Sequence, residues 1–179
     1  VRGVVRWWRL SSWTDRLVIH WWQTPYFETT GQLIGLQNRN LDYHKGDVTP
    51  RFRFPYGAHC TIYNLPVVAM LRPEEPLYIT EGCSDCWAML SAGHKAVAIP
   101  SATLLSVADK ELLSDLANRL GTSFHMFPDR DAPGERLFMQ VREVLPTLHH
   151  HQLPAGCKDF SDYYVSSINK SSFATEGID

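Results

Sequence analysis

The chain of 179 residues is short of several things at once. It has only four cysteines, Cys60, Cys83, Cys86 and Cys157, which in a chain of this intermediate size do not read as a disulfide framework. No apolar run approaches the roughly 20 residues that a membrane-spanning helix needs, and no charged-then-apolar leader marks secretion. No membrane partner is therefore expected, and the setting read from the sequence is cytoplasmic. Internal repeats and low-complexity linkers are missing, which excludes solenoids and tethered arrays. An excess of one charge is missing too: 17 Lys and Arg stand against 19 Asp and Glu, a net charge of −2. What is present, 44% hydrophobic and 20% charged residues, excludes a disordered chain and suffices for a real core.

The small net charge conceals an asymmetry. Residues 1–72 hold nine Lys/Arg and four Asp/Glu, a balance of +5, whereas residues 73–179 hold eight and fifteen, a balance of −7. A basic segment points to nucleic acid or phosphate. The acidic segment needs a separate explanation.

From Leu77 onward the pattern alternates strand and helix. Leu77 to Glu81 reads as a strand, and Ser84 and Asp85 open a helix that Gly93 closes. Ala96 to Ile99 is a second strand, Asp109 to Leu120 an amphipathic helix, and Ser123 to Phe127 a third strand. A helix over Gly134 to Leu145 and a fourth strand over Leu148 to Leu153 follow. Repeated βα units predict a parallel sheet covered by helices. The first 72 residues predict a small, mainly antiparallel β-rich subdomain: strands Leu17 to Trp22 and Gln32 to Leu36 flank the turn Glu28–Gly31, and Arg51 to Phe54 adds another. The expected organisation is 1–72, 73–170 and a loose tail over 171–179.

In a parallel sheet the ends of successive strands gather along one edge, where such sheets bind ligands. Glu81 ends the first strand there, Asp129 and Asp131 follow the third, Asp85 lies in the next helix's first turn, and Asp159 and Asp162 follow the fourth. Two like charges 4 Å apart repel by about 4 kcal/mol at an effective dielectric near 20, so such a cluster needs protons or cations. An all-carboxylate set suits Mg2+ or Mn2+.

Glu81-Gly82-Cys83-Ser84-Asp85, then Ala92-Gly93, then Asp129-Arg130-Asp131-Ala132-Pro133-Gly134 resembles the TOPRIM domain shared by bacterial and phage primases, topoisomerases and certain nucleases. Lys158-Asp159-Phe160-Ser161-Asp162 is similar to the Lys/Glu-Asp-x-x-Asp stretch of primases. Upstream, Gly31–Arg39, Pro50–Pro55 and Ile62–Leu65 resemble consecutive segments of the primase catalytic core. The resemblance implies a TOPRIM Rossmann-like α/β fold and a DNA primase: a Mg2+- or Mn2+-dependent nucleotidyltransferase making RNA primers from nucleoside triphosphates on a single-stranded DNA template. It implies that Glu81, Asp129 and Asp131 are catalytic and hold metal with Asp85, Asp159 and Asp162. It further implies that Arg39, Arg51, Arg53 and Lys158 meet nucleotide phosphates or the template backbone. The zinc-binding module, much of the basic subdomain and the helicase-binding region of replicative primases have no counterpart in these residues. The chain is thus expected to be a partial core, meeting a replicative helicase only through regions outside it. Two other readings use the same acids: a TOPRIM nuclease or phosphodiesterase, and a non-catalytic nucleic-acid-binding module.

The remaining features favour structure. Cys83 and Cys86 form a Cys-x-x-Cys without a second pair, so no zinc is expected and both read as helix-start residues. Three consecutive histidines, His149 to His151, alternate faces on a strand and cannot chelate together. Trp7, Trp8, Trp13, Trp21 and Trp22, near Arg2, Arg6 and Arg9, are expected mostly to pack the small subdomain. Ser101 and Thr103 sit on the ligand edge as phosphate donors or helix caps.

Overall fold

The computed structural model describes residues 21–56, 61–100 and 105–175. The expectations for Leu17–His20, for Trp7, Trp8 and Trp13 with Arg2, Arg6 and Arg9, for Ser101 and Thr103, and for residues 176–179 lie outside those residues. The chain divides into two compact units, Val1–Cys60 and Thr61–Asp179. The division falls before the expected boundary near Pro73 for a physical reason. Ile62, Leu65 and Val67, which lead into and form a short 3-10 helix over Leu65–Met70, are buried in the core of the larger unit.

The smaller unit carries an antiparallel sheet in the order β1 (Trp21–Phe27), β2 (Leu33–Asn40), β3 (Phe52–Arg53). Its turn spans Glu28–Gly31, with the Gly31 N–H donating to the Glu28 carbonyl and Gly31 at φ +86°, a conformation that favours glycine. Pro25 is tolerated because β1 is an edge strand among the described residues. Trp21 is half-buried, while Trp22 keeps 37% of its surface exposed.

The larger unit is the expected α/β fold. Four parallel strands run in the order β5-β4-β6-β7, with β4 over Leu77–Glu81, β5 over Lys95–Ile99, β6 over Phe124–Met126 and β7 over His149–His150. Strand alternation supplies two cores. Leu77, Ile79, Val97, Ile99, Phe124 and Met126 pack with α2 (Val107–Leu120) and α3 (Ala132–Val144) through Leu113, Leu116, Leu137 and Val141. Ala96 and Ala98 turn the other way, toward Cys86 and Met89 of α1 (Cys83–Ser91) and Phe160 of α4 (Phe160–Thr175).

The helix ends follow local chemistry. Ser106 and Asp109 make a reciprocal capping box, so α2 starts at Val107, two residues before the sequence pattern suggested. The fourth strand shrinks to two residues because its partner β6 is only three residues long, and the pairing ends at Met126 with His150. α4 continues to Thr175, five residues into the segment expected to be a loose tail from Ser171. Cys83 and Cys86 lie buried in α1, and the Cys86 thiol points at the Ala96 carbonyl. The three histidines do alternate: His150 packs edge-on against Phe138, while His151 bonds through Nε2 to Nδ1 of His125 at 2.8 Å.

Candidate metal centre

The chain leaves β4 on one side for β5 and returns on the other for β6. The C-terminal ends of β4 and β6 therefore flank the point where strand order reverses, the position at which open parallel sheets bind ligands. Glu81 is the last residue of β4. Behind it Gly82 sits at φ +83° and ψ 163°, a region essentially reserved for glycine, and turns the chain directly into α1. That turn puts Asp85, in the first turn of α1, on the same edge.

Asp129 and Asp131 follow β6. The Oδ1 of Asp131 accepts from the Gly134 N–H at 3.0 Å and caps α3. Gly134 is required by close approach: a Cβ there would lie 2.8 Å from the Asp129 nitrogen and 2.9 Å from its Cβ. Glycine thus lets the first turn of α3 close beneath Asp129.

The third strut is the start of α4. Asp159 Oδ1 accepts from the Asp162 N–H at 2.9 Å, and Asp162 Oδ2 accepts from the Lys158 N–H at 3.1 Å. Ser161 reaches across 76 residues of chain, donating its N–H (2.8 Å) and its hydroxyl (2.6 Å) to Asp85 Oδ1. The Arg130 N–H donates to the Lys158 carbonyl at 2.8 Å, tying the Asp-x-Asp turn to the Lys-Asp segment.

These ties bring oxygens of Asp85, Asp129 and Asp159 within 4.8 Å of one another; no other three His, Cys, Asp or Glu among the described residues do so. All three belong to the six acids expected to hold metal, whereas only Asp129 belongs to the expected catalytic trio of Glu81, Asp129 and Asp131. Glu81 and Asp131 stand beside it, close enough that each charge acts on its neighbours. Asp162 lies outside this group and serves the start of α4. Lys158 lies among the acids, its Nζ 3.8 Å from Asp129 Oδ2 and 3.7 Å from Asp131 Oδ2.

The electrostatics register the crowding. Burial, reinforced by Glu81 and Asp85, pushes Asp129 up to about 7. Burial and then Asp131 raise Glu81, and burial raises Asp85 against the two Ser161 hydrogen bonds. Burial opposes the Lys158 charge, but Asp129, Asp131, Asp159 and Glu81 together hold its pKa above the ordinary value. One oxygen, Glu81 Oε2, is buried and has no hydrogen-bond partner. An orphaned carboxylate oxygen beside three converging ones fits a hard divalent cation, which takes oxygen ligands and offsets their repulsion. Beyond Asp131 the edge opens into a cavity of about 410 Å³ lined by Arg130, Asp131, Glu135, His150 and Gln152, among others.

Arg39, Arg51 and Arg53 are exposed in the smaller unit. The register pairs Arg39 with Phe52 and Asn38 with Arg53, so the pleat turns Arg39 and Arg53 to opposite faces of that sheet. Sequence reasoning missed Ser161 and the packing role of Gly134. Only the fixed glycine after Asp-x-Asp offered a signal.

No protein-family model matches the chain, and no curated protein matches it in sequence. Among solved structures, its fold is similar to the RNA polymerase domain of Mycobacterium tuberculosis primase DnaG, with a TM-score of 0.66, 16% identity, and coverage of 88% of this chain and 54% of that one. A DNA primase domain from Pseudomonas aeruginosa gives 0.63 at 21% identity, covering 90% and 51%. A DnaG primase catalytic domain bound to single-stranded DNA gives 0.58 at 22% identity, covering 87% and 50%. The chain spans about half the length of these three and shares their fold.

Proposed function

We propose that the chain is the catalytic part of a primase: a divalent-metal-dependent nucleotidyltransferase that joins ribonucleoside triphosphates into primers on single-stranded DNA. The observation that carries this reading is the convergence of Asp85, Asp129 and Asp159, from three separate elements, beside the orphaned oxygen of Glu81. The fold shared with primase catalytic domains supports polymerisation over the other uses of such an edge. A neighbouring cavity of about 410 Å³ is large enough for a nucleotide.

Asp85, Asp129 and Asp159 would hold Mg2+ or Mn2+, with Glu81 and Asp131 beside them. When bound, a divalent ion neutralises phosphate oxygens and stabilises the charge that develops in in-line displacement. The chain's own residues supply position. Ser161 fixes one oxygen of Asp85 by two hydrogen bonds and so aims the other. Asp131 gives Oδ1 to the α3 cap and presents Oδ2 to the edge, beside Lys158. Arg39 is the first candidate for a phosphate or template contact, because it carries the better match to the primase pattern; Arg53, on the other face of its sheet, serves a different contact.

The test is incorporation of labelled ribonucleotides on a single-stranded template, with Mg2+ or Mn2+ and with EDTA. Incorporation that requires the metal and is lost in Asp129→Asn and Asp85→Asn supports the reading. Metal-dependent nicking without incorporation replaces it with the nuclease. Failure to bind either metal at millimolar concentration replaces it with a non-catalytic binding module.

A further inference from the structure

Lys158 is anchored at its backbone and loose at its tip. Its N–H donates to Asp162 Oδ2 at 3.1 Å and its carbonyl accepts from the Arg130 N–H at 2.8 Å, so the main chain is pinned between both acidic segments. The side chain nevertheless keeps 61% of its surface exposed, with Nζ 3.8 Å from Asp129 Oδ2 and 3.7 Å from Asp131 Oδ2. The two carboxylates share this one ammonium. A divalent ion held by Asp129 brings a second cation to the same carboxylate, where it and the ammonium repel each other.

We propose that Lys158 is a tethered counter-ion of the carboxylate edge, which neutralises Asp129 and Asp131 until a divalent cation displaces it and which thereby sets the affinity for that cation. The inference rests on the metal-binding reading above and deepens it. The exchange needs no rearrangement of the fold, since a long exposed side chain on a fixed backbone swings into solvent. It also gives Lys158 a role opposite in sign to that of every neighbouring acid. Removing a ligand weakens metal binding, whereas removing a competing cation strengthens it.

The sign makes the test decisive. Mn2+ binding to wild type, Lys158→Met and Lys158→Arg is titrated at low ionic strength without nucleotide, by the loss of the free Mn2+ electron paramagnetic resonance signal. Thermal unfolding is followed in EDTA and at saturating Mn2+. Lys158→Met keeps the length of the side chain and removes its charge, and the exposure of the site means that it folds. The expected result is about tenfold tighter Mn2+ binding, equivalent to about 1.4 kcal/mol, with a lower Tm in EDTA and a gap to wild type that Mn2+ closes. Lys158→Arg, which retains the charge, should bind within about threefold of wild type. Unchanged or weaker Mn2+ binding by Lys158→Met, with wild type binding normally, overturns the counter-ion role and leaves the metal reading intact. Binding by neither protein overturns both.

Discussion

The carboxylate edge should cost the fold stability, and Asp129 is the place to measure it. In an unfolded chain an Asp titrates near 3.8, whereas in the fold burial and the charges of Glu81 and Asp85 raise Asp129 to about 7. A folded-state pKa raised in this way means that the native state binds the proton more tightly than the unfolded state. Stability is then highest below about pH 4 and falls as pH rises through about 7, where the native carboxylate must finally ionise. At about 1.4 kcal/mol per pH unit the ionised group costs the fold up to about 4 kcal/mol at pH 8. The side chain keeps only 13% of its surface exposed, so screening by solvent is modest, but relaxation and water entry halve the figure to about 2 kcal/mol. Asp129→Asn keeps the shape and removes the charge. In EDTA it should therefore be more stable than wild type at pH 8 by about 2 kcal/mol, or about 4–8 °C in Tm for a chain of this size. The difference should shrink as pH falls and vanish near pH 4. Urea or thermal denaturation of both proteins at several values between pH 4 and pH 8 checks this, and added Mn2+ should reverse the order by stabilising wild type more. A variant less stable than wild type at pH 8 in EDTA, or a difference independent of pH, would refute the reasoning.

Three further outcomes separate the parts of the site. Gly134→Ala places a Cβ against the Asp129 backbone and should cost about 2–4 kcal/mol by urea denaturation, with weaker Mn2+ binding as α3 is pushed away. Ser161→Ala removes the 2.6 Å hydroxyl bond to Asp85; it should cost about 1 kcal/mol by the same assay and lower Mn2+ affinity severalfold in a titration. Asp131→Asn should preserve the α3 cap while removing charge, whereas Asp131→Ala loses both, so denaturation should find the alanine variant less stable by about 1 kcal/mol.

The fold was legible where local pattern and tertiary role coincide. Leu77–Glu81 shows its limits in sequence because apolar residues alternate on a short strand that ends in an acid at the sheet edge. α2 was visible but misplaced by two residues, since Asp109 looks like an opening residue and is the third residue of a capping box begun by Ser106. The fourth strand was overextended because its length is set by a partner strand, β6, that ends at Met126, which the apolar pattern of Leu148 to Leu153 does not report. Among the site residues, the acids could be placed on one edge from topology alone. Their grouping could not, because it depends on contacts such as Ser161 to Asp85, which joins residues 76 positions apart. The place of Lys158 beside Asp129 and Asp131 was not legible either, since a lysine next to an acidic motif carries no sign of which oxygens it will face.

The way the acids are held explains how one edge can carry so much charge and still be built. A carboxylate has two oxygens, and this site divides their use. Asp131 spends Oδ1 on the first turn of α3, Asp159 spends Oδ1 on the first turn of α4, and Asp85 spends Oδ1 on Ser161. The two Ser161 hydrogen bonds favour the ionised form of Asp85 and so oppose its burial. Asp129 receives no such bond in this network, and burial with the charges of Glu81 and Asp85 raises it to about 7. The −7 balance of residues 73–179 is therefore not a uniformly solvated surface. Part of it is tied at one oxygen to helix starts, and part, at Asp129 and Asp131, is offset by Lys158; a divalent cation would take over that offset and reach the unpartnered Glu81 oxygen.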